Sequence, residues 1–146
     1  MARFEKTLLE VLIQHPDLIS PSDFDELLES EFTVPSYAEI ISSIRQSKPS
    51  RLEPSWLNEL AQSLSPELHP TLRALAAVSL PASDEEELKK YVQGVVVSGF
   101  ISILTRQKLS LQAALRQLDP SDVEGIGRLQ RELVAIEERR RNLQGG

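Results

Sequence analysis

The sequence predicts an all-α protein: a bundle of five or six helices over residues 1–105, then an antiparallel helical hairpin over residues 106–146, the two joined through a long helix. Three observations predict it. Apolar residues recur at helical spacing along most of the chain, while no segment alternates at period two and no Asn-Gly or Asp-Gly hairpin signal occurs. Aromatics make up only 5% of the residues, so the apolar content is mostly Leu, Ile, Val and Ala, which suits helices packed through aliphatic ridges. Prolines punctuate the first part of the chain, whereas none lies between Ser83 and Leu118.

The first helix carries Phe4, Leu8, Leu9, Val11, Leu12 and Ile13, which cover most of its circumference, as in a helix buried inside a bundle. His15-Pro16 ends it, because proline disfavours helical geometry in the residue before it. Ser20-Pro21-Ser22-Asp23 starts a second helix with Phe24, Leu27 and Leu28 on one face. Val34-Pro35-Ser36 punctuates again, and Tyr37, Ile40, Ile41 and Ile44 follow at helical spacing. Residues 47–54 read as a surface loop. Two further helices carry Trp56, Leu57, Leu60 and Leu64, then Leu68, Leu72, Leu75 and Val78, with Pro66 and Pro70 both offering a start for the second. The β-branched run Val95-Val96-Val97 sits inside a longer helical pattern and reads as helix.

Ser83-Asp84-Glu85-Glu86 has the form of a capping box, with the Ser83 hydroxyl on the Glu86 amide and the Glu86 carboxylate reaching back. The acidic residues 84–87 suit the positive end of a helix dipole. From there only Gly94 and Gly99 weaken helix propensity, so the helix should run about 50 Å at ~1.5 Å per residue, with part of it projecting from a small bundle. Asp119-Pro120 stops it, and Ser121-Asp122-Val123-Glu124 is a second capping box that opens a returning helix. Leu104, Leu111, Leu115 and Leu118 on the outgoing arm, and Ile126, Leu129, Leu133, Ile136 and Leu143 on the return, step by three and four as the two halves of an antiparallel seam. Leu109, Val123, Val134 and Ala135 lie off that seam and leave apolar surface for docking.

A net charge of -6 disfavours direct contact with a phosphate backbone. With no cysteine, disulfides, thiolate metal sites and cysteine nucleophiles are excluded. The opening residues lack the apolar core of a signal peptide and no apolar stretch is long enough for a bilayer, so a cytoplasmic protein with no membrane partner is expected. His15 and His69 each adjoin a proline at a helix boundary and have no ligand partner at helical spacing. The acidic clusters at residues 23–26 and 85–87 fall in first helical turns, where the dipole accounts for them. Gly125-Ile126-Gly127 lacks the strand and the third glycine of a phosphate loop, and Ser98-Gly99 lacks the leading glycine of a nucleophile elbow. Arg139-Arg140-Arg141, preceded by Glu137-Glu138, reads as a solvated helix face. These absences point to a binding module with no catalytic, cofactor or metal site.

Three stretches, in order, resemble the C-terminal, helicase-binding domain of bacterial DNA primase. They are the Leu-rich segment from Glu5 to Leu18 with its Gln14-His15-Pro16-Asp17-Leu18 ending, the segment from Phe32 to Ile41, and the long helix, short turn and return through Leu129-Gln130-Arg131-Glu132-Leu133 with its basic end. The resemblance implies a non-enzymatic domain whose hairpin docks on the N-terminal domain of the replicative helicase at the fork, modulating primer synthesis and helicase activity in the bacterial cytoplasm. It also implies a second partner, the acidic tail of single-stranded-DNA-binding protein, with Lys6 at the contact. Zinc, magnesium and primer synthesis would belong to the parent primase. The expected contact set lies around the hairpin's turn: Leu115, Leu118, Val123, Ile126 and Leu129 as apolar anchors, with Arg116 and Arg128 as orienting charges. Other readings are the helicase N-terminal domain itself, which shares a bundle and a following hairpin, or another helical interaction module. A phosphorelay module would need an exposed mid-helix histidine.

Overall fold

The computed structural model describes residues 2–145. Seven α-helices follow one another: α1 Ala2–Gln14, α2 Pro21–Leu27, α3 Pro35–Ser47, α4 Trp56–Ser63, α5 His69–Ala77, α6 Glu85–Gln117 and α7 Val123–Gly145. Short 3-10 turns at Pro16–Leu18, Lys48–Ser50 and Pro66–Leu68 join some of them, and no strand occurs among the described residues. The all-α class is therefore as the periodicity predicts. The chain forms two compact units, Met1–Gly99 and Phe100–Gly146, which divide within α6. The sequence reading sets the division after residue 105, less than two helical turns further on.

In the first unit α1 packs against α5 and α3, and α3 packs against α4. Leu8, Leu9, Val11, Leu12 and Ile13 of α1 are all buried, with Phe24, Leu27, Ile40, Ile41, Ile44, Leu60, Leu72 and Leu75 from its neighbours. Helices α2, α4 and α5 are 7, 8 and 9 residues long. Isolated helices that short are marginal in water, so their order comes from this apolar burial and from side chains that satisfy their ends.

Those end contacts come largely from neighbouring helices. The buried Glu5 carboxylate accepts from Thr33 N–H at 2.9 Å, Val34 N–H at 3.2 Å and the Thr33 hydroxyl at 2.5 Å, at the start of α3. Burial alone would raise the Glu5 pKa, but these hydrogen bonds outweigh it and hold the carboxyl below its ordinary value. At the other end of α1, Gln14 Nε2 donates to the Leu75 and Val78 carbonyls, both at 2.9 Å, where α5 ends. Arg45 of α3 donates through Nε to the Leu28 carbonyl and through Nη2 to the Ser30 carbonyl, at the end of α2. Two positions of the Glu5–Leu18 segment thus tie helix termini, which explains a glutamate and a glutamine on a largely buried helix.

The predicted capping box of α6 is shifted by one residue, and at α7 only the cap is, since Gly125 has no side chain to reach back. At α6 the Glu87 amide donates to Asp84 Oδ1 at 2.8 Å, and the Glu87 carboxylate, rather than that of Glu86, accepts from the Ser83 N–H and hydroxyl, each at 2.8 Å. At α7 the Gly125 amide donates to Asp122 Oδ1 at 3.0 Å, while Ser121 donates its N–H and hydroxyl to Asp119 Oδ1. In each Ser-Asp pair the aspartate is the cap. A carboxylate accepts an amide hydrogen bond more strongly than a hydroxyl does, and its charge also opposes the helix dipole.

The hairpin as candidate interaction surface

The second unit consists of α6 from Phe100 onward, a turn at residues 118–122, and α7. Leu104 and Leu129 are buried, and Leu111, Leu115, Leu118, Ile126, Leu133, Ile136 and Leu143 are half-buried, as the three-and-four stepping requires. The stepping has one gap on each arm. On α6 the position between Leu104 and Leu111 is Lys108; on α7 the position between Ile136 and Leu143 is Arg140. Both side chains converge on one atom, Glu137 Oε1, from 2.7 Å for Lys108 Nζ and 3.0 Å for Arg140 Nη1. The Lys108 hydrogen bond is the main reason the Glu137 carboxyl sits below its ordinary pKa, and Arg140 adds to it.

The basic run is therefore not simply a solvated face. Arg140 is half-buried, and the Arg139 guanidinium stands over the Phe100 ring at 5.3 Å, a cation–π contact within the same unit. Arg141 is exposed. The seam register turns Arg140 inward and Arg139, though exposed, is held on the Phe100 ring, which the sequence reading of the run leaves out.

The predicted contact residues separate by exposure. Val123, Arg116 and Arg128 are exposed, and Leu115, Leu118 and Ile126 are half-buried. Leu129 is 8% exposed and sits in the seam. Off the seam, Leu109, Val123 and Val134 are 61%, 75% and 57% exposed, which is unusual for large aliphatic side chains. Two depressions involve residues that periodicity alone does not mark. A groove of about 430 Å³ is lined by Gln107, Ser110 and Leu111 of α6 and Glu132, Ala135 and Ile136 of α7. A second, of about 580 Å³, is lined by Val123, Glu124, Gly127, Arg128 and Arg131 of α7. The groove follows from small residues beside the seam, and the second depression from a glycine in the second turn of α7; both signals are present in the sequence but are common in helices.

Charge differs between the units. Residues 1–99 hold eight basic and sixteen acidic side chains, whereas residues 100–146 hold eight basic and six acidic. The hairpin is the basic part of an acidic chain.

Among the described residues no group of three or more His, Cys, Asp or Glu is placed to hold a metal ion, and no helix is long and apolar enough to cross a membrane. His69 Nε2 lies 2.7 Å from the Ala61 carbonyl near the end of α4, and His15 Nδ1 lies 3.9 Å from the Asp17 carboxylate. His69 is thus taken up in tying down a helix end.

A family model described as DNA primase DnaG DnaB-binding matches residues 5–129. Among solved structures, the helicase binding domain of primase from Mycobacterium tuberculosis is similar, with a TM-score of 0.79 and 26% sequence identity, over 99% of this chain and 92% of that one. No curated protein sequence matches. The family match takes in the α1 contacts to α3 and α5, the whole outgoing arm and the start of the return, and on that extent the chain belongs to the DnaB-binding family of DNA primase DnaG.

Proposed function

We propose that this chain is the helicase-docking domain of a bacterial primase, and that it docks through the hairpin. The family match over residues 5–129 carries the reading. The exposed aliphatic side chains of the hairpin, ringed by arginines, support its location, because apolar anchors within a charged rim divide affinity from specificity in most interfaces. The domain brings primase to the replicative helicase at the fork in the cytoplasm and through that contact modulates primer synthesis and helicase activity. Primer synthesis, zinc and magnesium belong to the parent enzyme. The acidic bundle, with twice as many carboxylates as cations, works against direct nucleic-acid binding. The acidic tail of single-stranded-DNA-binding protein is a second proposed partner, with Lys6 at the contact. Lys6 is exposed on α1 one turn from the exposed Arg3, so two cations share a face.

The test is titration of the intact chain against the N-terminal domain of the helicase. Leu118→Asp and Ile126→Asp should each weaken binding by about thirtyfold or more, as loss of an interface anchor does. Circular dichroism should show the helix content retained. If affinity survives both changes, the contact surface lies elsewhere.

A further inference from the structure

Gly127 has no structural reason to be a glycine. It lies in the body of α7, where glycine is a poor helix former, and no described glycine adopts a positive φ. A Cβ placed on it would meet only the tip of the Arg131 side chain, at 3.4 Å from Nη1. Gly125 is different: a Cβ there would stand 2.5 Å from the Asp122 carboxylate that caps the helix, so a larger residue would make that carboxylate shift.

What Gly127 does create is a gap on the outer side of the helix. Val123, Gly127 and Arg131 follow one another at spacings of four, along one face. The seam residues Ile126, Leu129, Leu133 and Ile136 lie on a different one. Val123 is 75% exposed there, and Arg128 and Arg131 flank the gap. Neither arginine has an ion pair among the described residues.

We propose that this gap is a socket for one aliphatic side chain presented by an acidic helix of the helicase. Gly127 is its floor, Val123 its apolar wall, and Arg128 and Arg131 the cations that take the carboxylates beside the inserted side chain. The proposal rests on the helicase-docking reading and adds the chemistry of the partner surface. Charge complementarity selects that partner: the site has two guanidinium groups against one carboxylate, Glu124, on the one unit in which cations outnumber carboxylates. Arginine forks suit carboxylates in geometry as well as charge. Nucleic acid is a poor occupant, since the only aromatic residue in 100–146, Phe100, is buried and unavailable for stacking on bases.

The experiment uses the intact chain titrated calorimetrically against the helicase N-terminal domain, with thermal melts of each variant. Gly127→Leu fills the socket and should lower affinity about tenfold while the melting temperature stays level or rises, because leucine is the better helix former. Arg131→Glu should lower affinity by a similar factor of about ten and make binding less sensitive to salt. Either variant binding within about twofold of wild type overturns the socket. If that happens while Leu118→Asp fails to bind, the hairpin reading stands and only the socket is lost. If the wild-type chain does not bind the helicase domain, the docking reading falls and the socket falls with it.

Discussion

Lys108 on the outgoing arm of the hairpin and Arg140 on the returning arm share one carboxylate oxygen, Glu137 Oε1, and occupy the two positions where the leucine stepping of the seam is broken. A polar layer in an otherwise aliphatic seam disfavours alternative registers, because a slip of one helical turn would set these cations against leucine. The layer also has an asymmetry. Removing the Lys108 charge leaves Glu137 paired with Arg140, whereas removing the Glu137 charge leaves two cations facing each other. Glu137→Gln should therefore lower the melting temperature more than Lys108→Gln. The gap between them should narrow in about 1 M salt, where the screening length falls to about 3 Å. Equal melting temperatures at low salt would show that the layer is not coupled in this way.

Glu5 ties the start of α3 with a carboxylate that is both buried and charged. Replacing it by Ala leaves the Thr33 and Val34 amides without their acceptor, and should cost about 2 kcal/mol in urea unfolding. The pH dependence has a definite sign. The folded-state pKa of Glu5 is below the ordinary 4.5, so its contribution is fully present above that value and is lost as the pH falls through the lower, folded one. Glu5→Gln should be less stable than wild type at neutral pH, and the difference should shrink on acidification below 4.5. A difference that stays constant down to acid would show that the carboxylate's charge plays no part.

Much of this architecture is legible in the chain. The three-and-four stepping places the arms of the hairpin, and Pro21 and Pro35 each open a helix at its first residue. What is not legible is contact between segments distant in sequence. Nothing local to Glu5 says that its partner is Thr33, and nothing local to Gln14 says that it closes α5. The seam shows the same limit: Lys108 and Arg140 read as interruptions of a pattern on their separate helices, and only their common distance to Glu137 makes them one feature. For the candidate surface, periodicity separates seam from non-seam residues well but gives no measure of exposure. Leu129 and Val123 both belong to the expected contact set, yet one is 8% exposed and the other 75%.

The shifted caps give a local case of the same kind. At the start of α7, Ser121 and Asp122 are adjacent and both are good capping residues, so sequence preference does not separate them. The structure gives the amide of Gly125 to Asp122 and ties Ser121 to Asp119. Asp122→Ala should cost about 1 kcal/mol in chemical denaturation, the usual loss for a cap, and Ser121→Ala should cost less. The reverse order would restore Ser121 as the cap.

Two glycines of α6 set a final comparison. Gly94 is exposed, and a Cβ there would have no neighbour within 4 Å. Gly94→Ala should therefore show the full gain in helix propensity, about 1 kcal/mol, as a higher melting temperature. Gly99 is buried, and a Cβ there would stand 2.6 Å from Leu27 Cδ2 and 3.8 Å from Leu8 Cδ1. Leu27 is itself fully buried, so it has little room to move aside, and overpacking of this kind costs about 1–3 kcal/mol. The propensity gain is the same for both substitutions, so the difference between them isolates packing. Gly99→Ala should be no more stable than wild type, and Gly94→Ala should be more stable than both. If Gly99→Ala matched Gly94→Ala, the close approach of α6 to Leu27 would carry no energetic weight, and the glycine there would be as replaceable as the exposed one.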